Sequence, residues 1–168
     1  MERVRKMKCL VNLKNDPQFV FDKEVHGKYA SQSAPISKIW NTSKLGFHLE
    51  ILEAKSYSCP YHFHHHEEEL FIVLSGSAMV RQEKEIFEVT EGDLIVFKTG
   101  IAHQFYNHTD QSFKFFALSN NSPDEICEYP DSNKKWERKE KRLTQNGMVI
   151  EDYFKDEENP DRFWPKMK

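Results

Sequence analysis

The stretch Tyr61-His62-Phe63-His64-His65-His66-Glu67-Glu68-Glu69-Leu70-Phe71-Ile72-Val73-Leu74-Ser75-Gly76 decides how this chain is read. On a strand, side chains alternate between faces, so His62 and His64 point one way and Phe63 the other. Two imidazoles on one face can share a metal ion. Glu69 opens the apolar run that follows, and a turn across His65–Glu68 would bring its carboxylate beside them. Further along, His103 would complete the set from another strand. Three neutral imidazoles with one carboxylate suit a borderline divalent ion, Fe, Mn, Ni, Co, Cu or Zn, and leave positions open for water or substrate.

Outward from this stretch, residues 45 to 119 read as short β-prone runs: Phe47–Leu52, Leu70–Leu74, Ala78–Arg81, Ile86–Val89, Leu94–Phe97, Gln104–Asn107 and Phe113–Leu118. Ser75-Gly76, Glu91-Gly92-Asp93, Lys98-Thr99-Gly100 and Asn107–Asp110 supply reversals between them. No interval has the length and period of a crossover helix, so an antiparallel sandwich or barrel is expected rather than a parallel α/β sheet. Residues 1–44 are expected to form an extension packed on the barrel, with Phe19-Val20-Phe21 as an added strand. Residues 120–168 are expected to form a second extension of the same domain. Its charged segment Lys134–Arg142 is read as a solvated helix, Asn146-Gly147 as a turn, and Trp136 and Trp164 as anchors onto the body or a second subunit.

Composition narrows the classes. A length of 168 residues favours one domain, and 13 Phe can furnish its core. The longest apolar run, Leu70–Leu74, is far short of the roughly 20 residues of a spanning helix. The basic start, Met1–Leu10, lacks the apolar stretch of a secretory signal. Three scattered cysteines, Cys9, Cys59 and Cys127, give neither a disulfide framework nor a cysteine zinc site. A cytoplasmic protein is expected. A net charge of −3 provides no field for nucleic acid or an anionic membrane, so neither is an expected partner. Pro17, Pro35 and β-prone pieces before the barrel leave no room for a helix-turn-helix.

The spacing His62-x-His64-x4-Glu69-x6-Gly76 resembles the first motif of the cupin family, and Gly92-x5-Lys98-x-Gly100-x2-His103-x3-Asn107 resembles the second. The family's usual proline is replaced by Lys98, and the glycine that often precedes the first motif is not at its usual place; neither departure touches a ligand position. The resemblance covers about residues 45 to 119. It implies an all-β fold, a jelly-roll barrel or double-stranded β-helix. It also implies metal binding by His62, His64, Glu69 and His103, turns shaped by Gly76, Gly92 and Gly100, and a structural Asn107. Phe71, Val73 and Phe105 would then line the cavity. The stretch Cys59–His65, with Glu128-Tyr129-Pro130-Asp131-Ser132, is similar to bacterial cupins labelled sugar-phosphate-isomerase-like.

Other residues carry competing readings. His65 and His66 are read as solvated loop histidines, with a place at the rim of the site as the alternative. Glu67 and Glu68 are read as exposed, although either could orient a ligand imidazole. His108 reads as a turn residue, His26 and His48 have no local support for a role, and Cys59 reads as a small buried thiol. Tyr61, Arg81 and Gln104 are candidates for substrate contact, or equally an ordinary packed Tyr, surface Arg and outward Gln. The expected function is a metal-dependent enzyme acting on a small polar molecule, of isomerase or oxygenase type. The alternative is a non-catalytic module that stores or senses a metal or metabolite. Sheet edges of this kind are often covered by pairing, so a homodimer is expected.

Overall fold

The computed structural model describes residues 12–13 and 20–164. Its strands are β1 (Asp22–His26), β2 (Tyr29–Ala34), β3 (Gly46–Leu52), β4 (Phe63–His64), β5 (Glu69–Ser75), β6 (Ser77–Gln82), β7 (Glu85–Thr90), β8 (Leu94–Phe97), β9 (His103–Tyr106), β10 (Phe113–Ser119), β11 (Ile126–Tyr129), β12 (Lys134–Glu137), β13 (Arg142–Gln145) and β14 (Met148–Val149). One helical turn, α1 (Ile36–Ile39), follows β2, and a 3-10 turn spans Pro160–Phe163.

All ladders are antiparallel. A six-stranded sheet runs β1-β2-β3-β10-β5-β8, a three-stranded sheet β7-β6-β9, and a five-stranded sheet β14-β13-β12-β11-β4. Isolated bridges from Tyr57 to Tyr106 and from His62 to His103 stitch the β4 segment to β9 and close the barrel wall. Alternation along β5 and β10 buries Phe71, Val73, Phe113, Phe115 and Ala117, which meet Phe97 from β8 of the same sheet and Val80 and Phe105 from the three-stranded sheet. These rings meet at centroid distances of 5.0 to 6.0 Å, for example Phe71–Phe105 and Phe105–Phe113, the spacing of tilted aromatic packing. This is the antiparallel barrel that the strand pattern predicts, in the jelly-roll form that the cupin resemblance implies.

Two turns show why the motif residues stand where they do. Gly76 has φ +81°, and a Cβ there would lie 2.8 Å from the Ser112 carbonyl oxygen, so only glycine fits between β5 and β6. Asn107 is fully buried; its Nδ2 donates to the carbonyls of Leu52, Glu53 and Gln111, and its Oδ1 accepts from Thr109. It is a structural staple between β9 and β10, as expected.

Three expectations need correction. The added strand is not Phe19-Val20-Phe21: Phe19 lies outside the described residues, Val20 and Phe21 are in no strand, and the edge is extended by the β1–β2 hairpin. The charged segment is a hairpin, β12–β13, not a helix. Each strand finds its pairing in the sheet, because β11 docks on β4 and offers its other edge to β12. Finally, of the two readings left open for Tyr61, Arg81 and Gln104, substrate contact is the one that fails, since none of the three lines the cavity. The Arg81 guanidinium lies 3.8 Å over the Tyr61 ring and bonds both oxygens of Asp131, while Gln104 is buried between the Cys59 carbonyl and the Trp164 indole N–H. The C-terminal segment covers that outer face, so Trp164 is an anchor onto the body.

Candidate metal centre

β4, β5 and β9 bring His62, His64, Glu69 and His103 to one end of the barrel interior. Donor atoms of His62, Glu69 and His103 all lie within 4.8 Å of one another. His64 joins them through its Nε2, 3.3 Å from Glu69 Oε2, with its ring centroid 5.0 Å from that of His62. The His62 Nδ1–H donates to the Pro60 carbonyl and the His103 Nδ1–H to the Ile101 carbonyl, at 2.9 and 3.1 Å. Each bond fixes the tautomer and leaves the Nε2 lone pair free for the cavity.

These lone pairs have nothing in the protein to receive them. His103 is 2% exposed, and its Nε2 stands 3.0 Å from Glu69 Oε2, yet neither atom has a hydrogen-bond partner. A ring lone pair pressed against a carboxylate oxygen repels it unless a cation lies between them. Burial, then the neighbouring His103 and His64, push His62 down to about 3, so it stays a neutral donor. Burial lowers His64 and Glu69, Glu125 and Glu67 overcome it, leaving His64 raised. Imidazoles and a carboxylate turned to one point with unmet donor atoms fit a borderline divalent ion.

Behind His64 lies a network that sequence reading misses. Its Nδ1 is 3.3 Å from Glu125 Oε1 and 3.9 Å from Glu67 Oε2. Glu67, expected to be exposed, is 3% exposed: it takes both guanidinium nitrogens of Arg138 and the Ser122 N–H. Glu125, 1% exposed, accepts the backbone N–H groups of His65 and His66 at 2.9 and 3.1 Å. These partners lie 55 to 71 residues away in sequence, and no local pattern marks them. His65 bonds Glu128 at the rim, and His66 and Glu68 are exposed, as expected of loop residues. Cys127, opposite His64 on β11, forms a second close group with His62 and His64; burial pushes its thiol up.

The interior cavity has a volume of about 340 Å³. Phe71 and Phe105 line it as expected, but Val73 lies deeper in the core. Cys59 also borders it, 3.6 Å from His62 Nδ1, and burial raises its thiol well above the usual range, so it stays uncharged. The facing wall adds Glu24, Ser31, Ser33 and a His48–Glu50 couple joined by a hydrogen bond, with Nε2 to Oε2 at 3.2 Å. The position of His48 at i−2 to Glu50 on β3, sharing a face with it, was the available signal.

Residues 48–119 match the family model described as Cupin domain. No curated protein is similar enough in sequence to match the chain. Similar solved structures include a candidate sugar phosphate isomerase from Acidithiobacillus ferrooxidans, with TM-score 0.70 and 22% identity, covering 89% of this chain and 94% of that one. A cupin-superfamily sugar phosphate isomerase from Silicibacter pomeroyi matches with TM-score 0.67 and 21% identity, covering 78% and 92%. A predicted oxalate decarboxylase from Thermotoga maritima matches with TM-score 0.54 and 17% identity, covering 61% and 92%. At these identities the likeness is one of fold. Residues 48–119 therefore match the cupin domain in sequence, and the barrel built around them shares its fold with these solved structures.

Proposed function

We propose that this chain is a metal-dependent enzyme acting on a small polar metabolite, with one divalent transition ion held by His62, His64, Glu69 and His103. The observation that carries the reading is the pair of unpartnered, solvent-shielded atoms, His103 Nε2 and Glu69 Oε2, 3.0 Å apart at the cavity wall. When bound, such an ion polarises a carbonyl or hydroxyl, activates water or binds dioxygen. The protein's own part is to fix the His62 and His103 ring orientations through the Pro60 and Ile101 carbonyls, with Nε2 turned to the cavity, and to line that cavity with Phe71 and Phe105.

Both isomerase and oxygenase chemistry suit this donor set. Isomerisation also requires a group that moves a proton, and the His48–Glu50 couple on the same cavity is the titratable pair outside the ligand set that supports it. Similar structures named as isomerase, decarboxylase and cyclase support an enzyme without choosing the reaction. The homodimer belongs to the same proposal: Leu94 and Val96 are exposed on β8, which ends the six-stranded sheet. Among the described residues, no helix is long and apolar enough to cross a membrane.

The test is the metal content of untagged protein, purified without nickel resin or chelator, by elemental mass spectrometry. About one ion per chain is expected, with most of it lost in Glu69→Gln and in His62→Ala, because deleting a ligand leaves the coordination incomplete. No metal in the wild type after reconstitution would overturn the reading, and metal without turnover would favour the storage or sensing alternative.

A further inference from the structure

We infer that the cavity takes an uncharged, polyhydroxylated molecule of about monosaccharide size and discriminates against its phosphate ester. The inference rests on the proposed metal-dependent reading and names the substrate class of that same site.

The cavity, at about 340 Å³, lies near the small end of the roughly 300–1,000 Å³ of small-ligand sites. Its polar wall opposite the ligand set is built from Glu24, Ser31, Ser33, His48 and Glu50. Carboxylates accept hydrogen bonds and cannot donate them, the serine hydroxyls do both, and Glu50 Oε2 already faces His48 Nε2, so groups that both donate and accept, a set of hydroxyls, suit this wall. Such O–H to carboxylate bonds are short and charge-assisted. On another side, Phe71, Phe105 and Phe115 offer the apolar surface that the C–H face of a sugar ring would cover.

A phosphate ester asks for the reverse. It carries between one and two negative charges and offers only acceptor oxygens, which proteins meet with guanidinium or ammonium groups. Among the described residues, none lining this cavity is Lys or Arg, while Glu24, Glu50 and Glu69 are all acidic. An adjoining depression that shares Ser33, His48, His64 and Glu69 with the cavity does hold two cations, Lys38 and Arg138. Of these, Arg138 is already committed to both oxygens of Glu67 and to the Ser122 carbonyl, and Lys38 is an exposed side chain at the lip. The wall thus parts company with the names carried by two of the structures whose fold it shares.

The test uses metal-replete full-length protein. Calorimetric titrations compare five- and six-carbon aldoses and ketoses with their terminal phosphates, with inorganic phosphate alone as a further probe. The expected result is that at least one parent sugar binds about tenfold or more tightly than its ester. Glu50→Gln should weaken that sugar about tenfold and narrow the gap to the ester, while Lys38→Ala changes neither. If Glu50→Gln fails to fold, Glu24→Gln, at an exposed position, should shift affinity in the same direction by less. An ester or inorganic phosphate that outbinds the parent sugar, above all if Lys38→Ala abolishes it, would overturn the inference. So would a metal-loaded protein that binds no member of the panel, an outcome that leaves the metal reading standing. Wild-type protein that takes up no metal is the separate failure, of the reading beneath.

Discussion

Glu67 and Glu69 are two residues apart and both are turned away from bulk water, yet their surroundings are opposite. Every oxygen of Glu67 is met, by the Arg138 guanidinium and the Ser122 N–H. Glu69 Oε2 faces two imidazole nitrogens at 3.0 and 3.3 Å and has no hydrogen-bond partner. A buried carboxylate with all its bonds made serves the fold. One left incomplete costs free energy that only a missing partner restores. The same chemical group is structural on one face of the β4–β5 turn and, on the proposed reading, a metal ligand on the other.

The sharpest way to break that comparison is to remove the partner on the saturated side. Arg138→Ala leaves Glu67 enclosed with an unpaired charge, a defect worth roughly 3–5 kcal/mol when a pair is fully buried. Because the Arg138 side chain is 37% exposed, about 2–3 kcal/mol is expected by urea denaturation of metal-free protein. Glu69→Gln measured beside it should lose little stability or gain some, since it removes a charge with no donor. If the two variants lose stability equally, the distinction fails.

Glu125→Gln sharpens it at the next level. The amide cannot accept from both His65 and His66, nor carry the charge that faces His64 Nδ1. Metal affinity should fall about tenfold, the low end of the roughly 10–100-fold seen when a group orienting a ligand is removed. A competition titration at unchanged stoichiometry reads it. An unaltered affinity would mean that His64 is held by its strand alone.

The smallest effect belongs to His66→Ala. Its side chain is exposed and its contribution is a backbone N–H, which alanine keeps. Stability should change by under about 0.5 kcal/mol, with metal content untouched. A loss of metal here would show that the register of the histidine run is wrong.

The barrel was legible because its signals are local. Alternation in Glu69–Ser75 and Phe113–Ser119, and glycine at Gly76 where a Cβ would strike Ser112, are written within a few residues. The four residues converging on the cavity were legible for the same reason, two of them by period two on one strand. What escaped is long-range. Lys134–Glu137 has the charge of a solvated helix and becomes a strand only because β11 lies beside it. Glu67 looks like one member of an acidic run until Arg138, 71 residues on, is folded against it. Arg81 and Gln104 looked free to meet a substrate until Asp131 and Trp164 arrived from the far end of the chain.

The pairing of β4 with β11 also orders events in time. A chain emerging from the ribosome has released His62, His64, Glu69 and His103 well before Glu125 and Ile126 follow. Until then His64 has no neighbouring strand on its β11 side, and the His65 and His66 amides lack their carboxylate. On the proposed reading, all four donors are therefore made before the strand and the carboxylate that hold the His64–His66 segment in place.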